Sequence, residues 1–328
     1  MPKMNMVQAI NLALHQEMTA DDRVLVLGQD VGVNEGVFRV TAGLFKTFGE
    51  RRVIDTPLAE SGILGTSIGM ALAGLRPVAE IQFSGFSYLM MGQLEGHASR
   101  FRSRTLGSYS CPLVVRMPYG GGVRALEHHS ESREAMFAHV PGIKVVIPSS
   151  PRNARALMSA AIRDPDAVVF MEPKRSYRAF REEVPEEPEQ LPLGKARVVQ
   201  DGTDLTVISW GAMMPLTAAA ADAVQRRRGA KIELIDLMTI SPLDTSTVVS
   251  SVRKTGRCVI VQEAPRSFST SSELIARIND HALMHLEAPV RRVTGYDVVT
   301  PYFSREEPYF PTSKLVERGL EETLDFHS

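Results

Sequence analysis

Cysteine is scarce: the 328 residues contain two, Cys111 and Cys258. Each stands beside a short apolar run, Leu113-Val-Val in one case and Val259-Ile-Val in the other, which reads as a buried, reduced thiol in a reducing compartment. No disulfide framework and no zinc-ligand spacing can be built from them. Long hydrophobic runs are also missing. No stretch reaches the roughly 18 consecutive apolar residues that a membrane-spanning helix needs, and Met1-Pro-Lys-Met-Asn-Met-Val-Gln has no apolar core behind a basic start. The expectation is a soluble, cytoplasmic chain, although one processed on import into an organelle would read the same way. Excess charge of either sign is absent as well: 37 Lys and Arg stand against 38 Asp and Glu, which argues against nucleic acid or a membrane surface as partner. There is no internal repeat.

What is present is a globular composition, 44% hydrophobic and 23% charged, in a chain long enough for two domains. Short apolar runs (Val24-Leu-Val-Leu, Val78-Ala-Glu-Ile-Gln-Phe, Leu113-Val-Val, Lys144-Val-Val-Ile, Ala167-Val-Val-Phe) alternate with helix-length segments. That alternation predicts an α/β fold with mostly parallel sheets and helices on both faces. From Arg181 to Leu193 the sequence is acidic and punctuated by proline, with no apolar period, and reads as a linker. The pattern then restarts with Leu205-Thr-Val-Ile-Ser, an alanine-rich helix from about Leu216 to Arg228, Ile232-Glu-Leu-Ile-Asp, Cys258-Val-Ile-Val-Gln and a helix from about Ser271 to His281. The division expected is residues 1–185 and 186–328.

Three segments have the residue types that chemistry needs. In Asp55-Thr-Pro-Leu-Ala-Glu-Ser-Gly-Ile-Leu-Gly, Pro57 closes an extended run and a helix dense in small residues starts at Ser61, with Glu60 at its mouth. Such a helix lets a backbone or a flat ligand approach closely. Glu60 taken alone could be a first-turn carboxylate answering the helix dipole, or a functional acid. The glycine spacing, Gly62, Gly65 and Gly69, lies inside the helix and does not fit a dinucleotide fingerprint. In Arg116-Met-Pro-Tyr-Gly-Gly-Gly-Val-Arg-Ala-Leu-Glu-His-His-Ser-Glu-Ser, three glycines follow a strand and lead to His128 and His129. A histidine on such a loop is a candidate acid-base group, while two adjacent histidines diverge and make a poor metal site. In Ile81-Gln-Phe-Ser-Gly-Phe-Ser-Tyr, Gln82, Phe83, Phe86 and Tyr88 follow a buried strand, where open α/β sheets place ligands.

Together with Gly28 to Thr41 (G-Q-D-V-G-V-N-E-G-V-F-R-V-T), Leu75 to Phe83, Pro141 to Ser149, Glu172 to Arg178 (E-P-K-R-S-Y-R) and Ser241 to Asp244, these segments run in consistent order from end to end. The chain resembles the beta subunits of the decarboxylase component of 2-oxo acid dehydrogenase complexes, in the transketolase-like superfamily. The resemblance implies a pyrimidine-binding domain followed by a C-terminal α/β assembly domain. It implies thiamine diphosphate as cofactor, which supplies the electron sink for decarboxylation. By the same resemblance Glu60 shares a proton with the cofactor's pyrimidine ring, and His129 serves acyl transfer to a lipoyl group. Leu58, Gln82 and Phe86 match positions around the pyrimidine or the substrate. Some relatives hold a monovalent cation such as K+ on backbone carbonyls, and the matching positions are Leu113, Ala161, Ile162 and Asp164. Gly92 stands where relatives often have an acid, so any acidic relay through that point is in doubt.

One element of a complete cofactor site is missing. Diphosphate and Mg2+ need a Gly-Asp-Gly loop with a later Asn, so that hard oxygen ligands reach the cation, and the chain has no Gly-Asp-Gly. The resemblance therefore assigns Mg2+ to an alpha subunit in an alpha2beta2 heterotetramer, without which the chain is inactive, and implies docking on a lipoyl-bearing dihydrolipoyl acyltransferase core. The reaction implied is oxidative decarboxylation of a 2-oxo acid, with pyruvate favoured by P-L-G-K-A at Pro192 to Ala196 and branched-chain acids next. An acetoin dehydrogenase beta subunit and a non-catalytic assembly relative are the competing readings.

Overall fold

The computed structural model describes residues 1–187, 189 and 191–326; the expected linker thus includes Pro188 and Gln190, which lie outside the described residues. The strands in chain order are β1 (Lys3–Met4), β2 (Val24–Gly28), β3 (Val53–Asp55), β4 (Arg76–Glu80), β5 (Val114–Tyr119), β6 (Lys144–Val146) and β7 (Val168–Pro173). They continue with β8 (Glu182–Glu183), β9 (Arg197–Gln200), β10 (Leu205–Ser209), β11 (Ile232–Asp236), β12 (Thr239–Ser241), β13 (Cys258–Pro265) and β14 (Arg291–Gly295). A seven-stranded sheet has the order β12-β6-β7-β5-β4-β2-β3 and a five-stranded sheet the order β14-β13-β10-β11-β9. In each, one edge strand is antiparallel, β12 on β6 and β9 on β11, and the rest are parallel. The α/β class expected from the alternating pattern is the one observed.

Parallel strands covered on both faces are mostly apolar, and β2, β5, β7, β10 and β11 are buried at every position, Arg116, Glu172 and Asp236 included. Alternation along β2 then divides two cores. Leu25 and Leu27 face a cluster with Ile63, Leu64, Val115 and Met117, while Val24 and Val26 face one with Ile10, Leu14, Leu157 and Met158. The second cluster is closed by the helix Met6–Ala20, started by a reciprocal cap. The Asn5 side chain accepts from the Gln8 N–H at 3.0 Å, and the Gln8 side chain accepts from the Asn5 N–H at 3.1 Å. The first cluster continues without interruption into the C-terminal half through Ile208, Trp210, Ile235 and Ile260.

The linker reading hid two connections. Glu182–Glu183 pairs back with Lys3–Met4, and Thr239–Ser241 leaves the second half to add an edge strand to the first sheet. Cys111 and Cys258 are both free and buried; burial pushes the Cys111 thiol up to about 12 and the Cys258 thiol higher still. Among the described residues no helix is long and apolar enough to cross a membrane.

From β2 the chain runs out to β3 on one side and returns to β4 on the other. The crevice beyond the carboxyl ends of β2 and β4 is thus a topological switch point, the place where open α/β sheets bind ligands.

Candidate functional site

The loop after β2 is pinned to β3: Asp55 accepts the N–H groups of Gly32 at 2.6 Å and Val33 at 3.0 Å. Across the crevice, Gln82 donates to Asp30 at 3.1 Å and more weakly to the Gln29 carbonyl at 3.4 Å. Beneath it lies a buried ionic network. Arg116 forms a bidentate pair with Glu172 at 2.7 and 2.6 Å, also reaches Glu80, and Tyr177 donates to Glu172 at 2.5 Å. Burial pushes the Glu80 carboxyl up, against the opposing pull of Arg116. Burial likewise works against the Arg116 charge, but Glu172 and Glu80 hold the guanidinium ionised.

The glycine-bearing helix spans Glu60–Leu72, one residue earlier than predicted. Glu60 therefore lies in its first turn, buried at 7% exposure. Among the described residues no hydrogen-bond donor pairs with its carboxylate. The body of the side chain is covered while its carboxylate oxygens still reach the surface at the helix mouth, with nothing in the chain competing for them. Along the same helix Gly62, Thr66, Gly69 and Ala73 are exposed, and a Cβ at Gly69 would meet no atom within 4 Å.

His129 stands in a short 3₁₀ turn, Glu127–His129, that packs on the neighbouring turn Ser84–Met90; the latter also contacts the Glu60 helix. Gly85 makes this approach possible, since a Cβ there would fall 1.9 Å from the His128 carbonyl oxygen. The His129 imidazole is held edge-on by Phe83 (ring centroids 4.2 Å apart) and Phe86 (5.3 Å), and its Nδ1 is buried without a partner. Lys174 donates to the His129 carbonyl and lies over the Phe83 ring at 5.4 Å. Burial first, then the charges of Lys174 and His128, hold the imidazole below its ordinary value. Burial pushes the Lys174 ammonium down to about 8.

The remaining predicted residues are placed less uniformly. Phe86 is half-buried beside His129, Gln82 is at the crevice, and Leu58 is 67% exposed on the turn before the glycine helix. The carbonyls of Ile162 and Asp164 accept from Arg76 at 2.8 and 3.3 Å, that of Leu113 from the Val168 N–H at 2.8 Å and that of Ala161 from the Asp164 N–H at 3.3 Å. A built-in guanidinium thus already answers two of the four. Among the described residues no three His, Cys, Asp or Glu side chains gather as a metal-binding group. Lys174, Glu263 and Glu306, which surround the His129 loop, were not singled out by sequence; Lys174 falls inside the E-P-K-R-S-Y-R motif, but its contact with a residue 45 positions away leaves no local signal.

Residues 2–179 match the transketolase pyrimidine-binding domain family, and residues 194–315 the transketolase C-terminal domain family. The chain is 49% identical over 311 residues to pyruvate dehydrogenase E1 component subunit beta of Acholeplasma laidlawii, covering 95% of each. It is likewise 49% identical over 326 residues to the protein of that name from Bacillus subtilis (strain 168), covering 99% of this chain and 100% of the relative. Among solved structures, a split-gene transketolase described as an inactive beta4 tetramer superimposes with a TM-score of 0.79 over 100% of both chains, at 18% identity, a likeness of fold.

Proposed function

The chain belongs to the transketolase-like superfamily, in the family of pyruvate dehydrogenase E1 beta subunits, and from that premise we propose that it forms half of a thiamine-diphosphate site for oxidative decarboxylation of pyruvate. The carrying observation is Glu60, 7% exposed, whose carboxylate is unpaired within its own chain and open to the crevice, at the mouth of a helix whose glycine face is open. These residues fit a flat nitrogen heterocycle: a carboxyl group to share a proton with a ring nitrogen, a smooth helix face, and an aromatic wall at Phe86. The cofactor, when bound, supplies the electron sink that decarboxylation requires. Glu60 holds and shares the proton at the ring nitrogen, Gln82 and Phe86 orient the pyrimidine or substrate, and His129 hands a proton to the lipoyl sulfur during reductive acylation.

On this reading residues 1–185 bind the pyrimidine and residues 186–328 serve assembly. An alpha subunit in an alpha2beta2 tetramer supplies the diphosphate and Mg2+ ligands, and the tetramer docks on a lipoyl-bearing acyltransferase core in the cytoplasm. Val33, Leu58 and Leu126, exposed at 73%, 67% and 49%, lie on loops at the carboxyl edge of the first sheet and fit a face that a second chain covers. A K+ ion on the carbonyls of Leu113, Ala161, Ile162 and Asp164 would have to displace the Arg76 guanidinium from those of Ile162 and Asp164. The test is co-purification with an alpha-type chain, then 2-oxo-acid-dependent dye reduction with thiamine diphosphate and Mg2+. Turnover on pyruvate above branched-chain acids is expected. Turnover on acetoin alone, or a complex inert with every acid, would overturn the reading.

A further inference from the structure

The run Gly120-Gly121-Gly122 is explained by side chains packed against it. A Cβ on Gly120, where φ is +76°, would lie 2.4 Å from Glu263 Oε1. On Gly121 it would lie 2.1 Å from Phe310 Cζ and 2.6 Å from Glu306 Oε1, and on Gly122, where φ is +96°, 2.8 Å from Arg175 Nε. Such a loop is tightly packed, contrary to the mobility that three glycines suggest on their own. Its backbone donors point at two carboxylates from the C-terminal half, both almost fully buried. Glu263, near the end of β13, accepts the Gly121 N–H at 2.7 Å and the Ser132 hydroxyl at 3.3 Å. Glu306, between two short 3₁₀ turns, accepts the Gly122 N–H at 2.8 Å through Oε1 and the Arg124 N–H at 2.7 Å through Oε2. The two carboxyl groups, of which burial pushes that of Glu263 up, answer four donors of the loop, so it is fastened at residues 121, 122, 124 and 132, on both sides of His129. Lys174, which holds the His129 carbonyl, is attracted by both Glu263 and Glu306. One cluster thus ties the C-terminal half to the loop and to the peptide of His129 itself.

We propose that Glu306, together with Glu263, is a positioning residue that fixes the 120–132 loop from the C-terminal half and so sets the His129 imidazole for acyl transfer. This rests on the acyl-transfer role given to His129 above. Neither carboxylate needs to touch substrate; each acts through the backbone that bears the histidine. Loosening one post leaves the other in place, so the loop should lose precision without unfolding, and acyl transfer should suffer more than decarboxylation.

The experiment uses the complex with the alpha subunit, a free lipoyl domain as acyl acceptor and ferricyanide as the dye. For Glu306→Gln, the ratio of pyruvate-dependent lipoyl acylation to dye reduction is expected to fall about tenfold, through kcat for the lipoyl domain more than through KM. Amide hydrogen exchange over residues 120–132 should accelerate, while exchange in β5 and β7 stays as in the parent. Glu263→Leu, which removes the acceptor of the Gly121 N–H and the Ser132 hydroxyl while filling the same space, provides the same test should Glu306→Gln fail to assemble. An unchanged ratio, or two rates that fall in parallel, overturns the proposal. His129→Ala run alongside separates the two failures: if it leaves the ratio unchanged, the role of His129 is wrong; if it lowers the ratio and Glu306→Gln does not, only the positioning role is wrong.

Discussion

At the scale of single residues, the choice lies between two accounts of Glu60 whose magnitudes differ widely. A first-turn carboxylate at a helix N-terminus contributes about 0.3–1 kcal/mol to stability and nothing to rate. A group that shares a proton in the reaction contributes roughly 10²-fold or more to turnover. Glu60→Gln should therefore assemble with the alpha subunit, lose at most about 1 kcal/mol by denaturant titration, and reduce dye at least about 100-fold more slowly. Parent-level turnover in this variant would return Glu60 to the dipole account. Glu60 and His129 were legible because each sits in a run of local motif residues. The cage around His129 was legible only in part: Phe83 and Phe86 stood out at a ligand-placing strand end but nothing set them against the histidine, and the cation beside it comes from Lys174 across two strand crossovers.

At the scale of elements, periodicity located the long central strands of both sheets and the helices that start near Ser61, Leu216 and Ser271, because parallel strands buried on both faces are short apolar runs with helix-length spacing. It could not locate Thr239–Ser241 as a strand of the first sheet, since three residues have no usable period and the pairing with β6 is set by the return of the chain from the second half. Nor did it show which face of the Glu60 helix would remain bare. That face supports a prediction of opposite signs. Gly69 is helical, and a Cβ there meets nothing within 4 Å, so Gly69→Ala should stabilise the isolated chain by about 0.5–1 kcal/mol through helix propensity. If the alpha subunit also packs on this face, beside the cofactor, the same methyl group should weaken tetramer formation. Thermal unfolding of the free chain and a sedimentation titration with the alpha subunit read the two effects separately. A stabilised chain with unaltered assembly would place the partner elsewhere.

At the scale of the whole molecule, the linker reading treated the two halves as successive units, whereas the structure joins them through a shared apolar core and a buried acid. Asp236, at the end of β11, accepts from the Ser149 hydroxyl at 2.8 Å, the Asn153 amide at 3.3 Å and the Met238 N–H at 3.2 Å. The same Ser149 oxygen accepts the Gly211 N–H at 2.8 Å, so the cluster ties the strand ends of the second sheet to the start of the Pro151–Arg163 helix in the first half. Burial outweighs these hydrogen bonds and the nearby Arg197 charge, and pushes the carboxyl up to about 7. The folded chain thus binds this proton more tightly than the unfolded chain, whose aspartate titrates at about 3.9. The stability that Asp236 contributes is then fully present below about pH 4 and is lost as the pH rises through about 7. Asp236→Asn removes that ionisation and keeps an acceptor for Ser149 and Met238, with the Asn153 amide turning over to present its oxygen. The variant should show a flatter dependence of stability on pH between about 4 and 7, and should exceed the parent above pH 7 by about 1–3 kcal/mol. Urea unfolding at a series of pH values measures this. A parent and variant with parallel profiles would show that the proton is taken up elsewhere, and that the joint between the halves is held by packing and neutral hydrogen bonds alone.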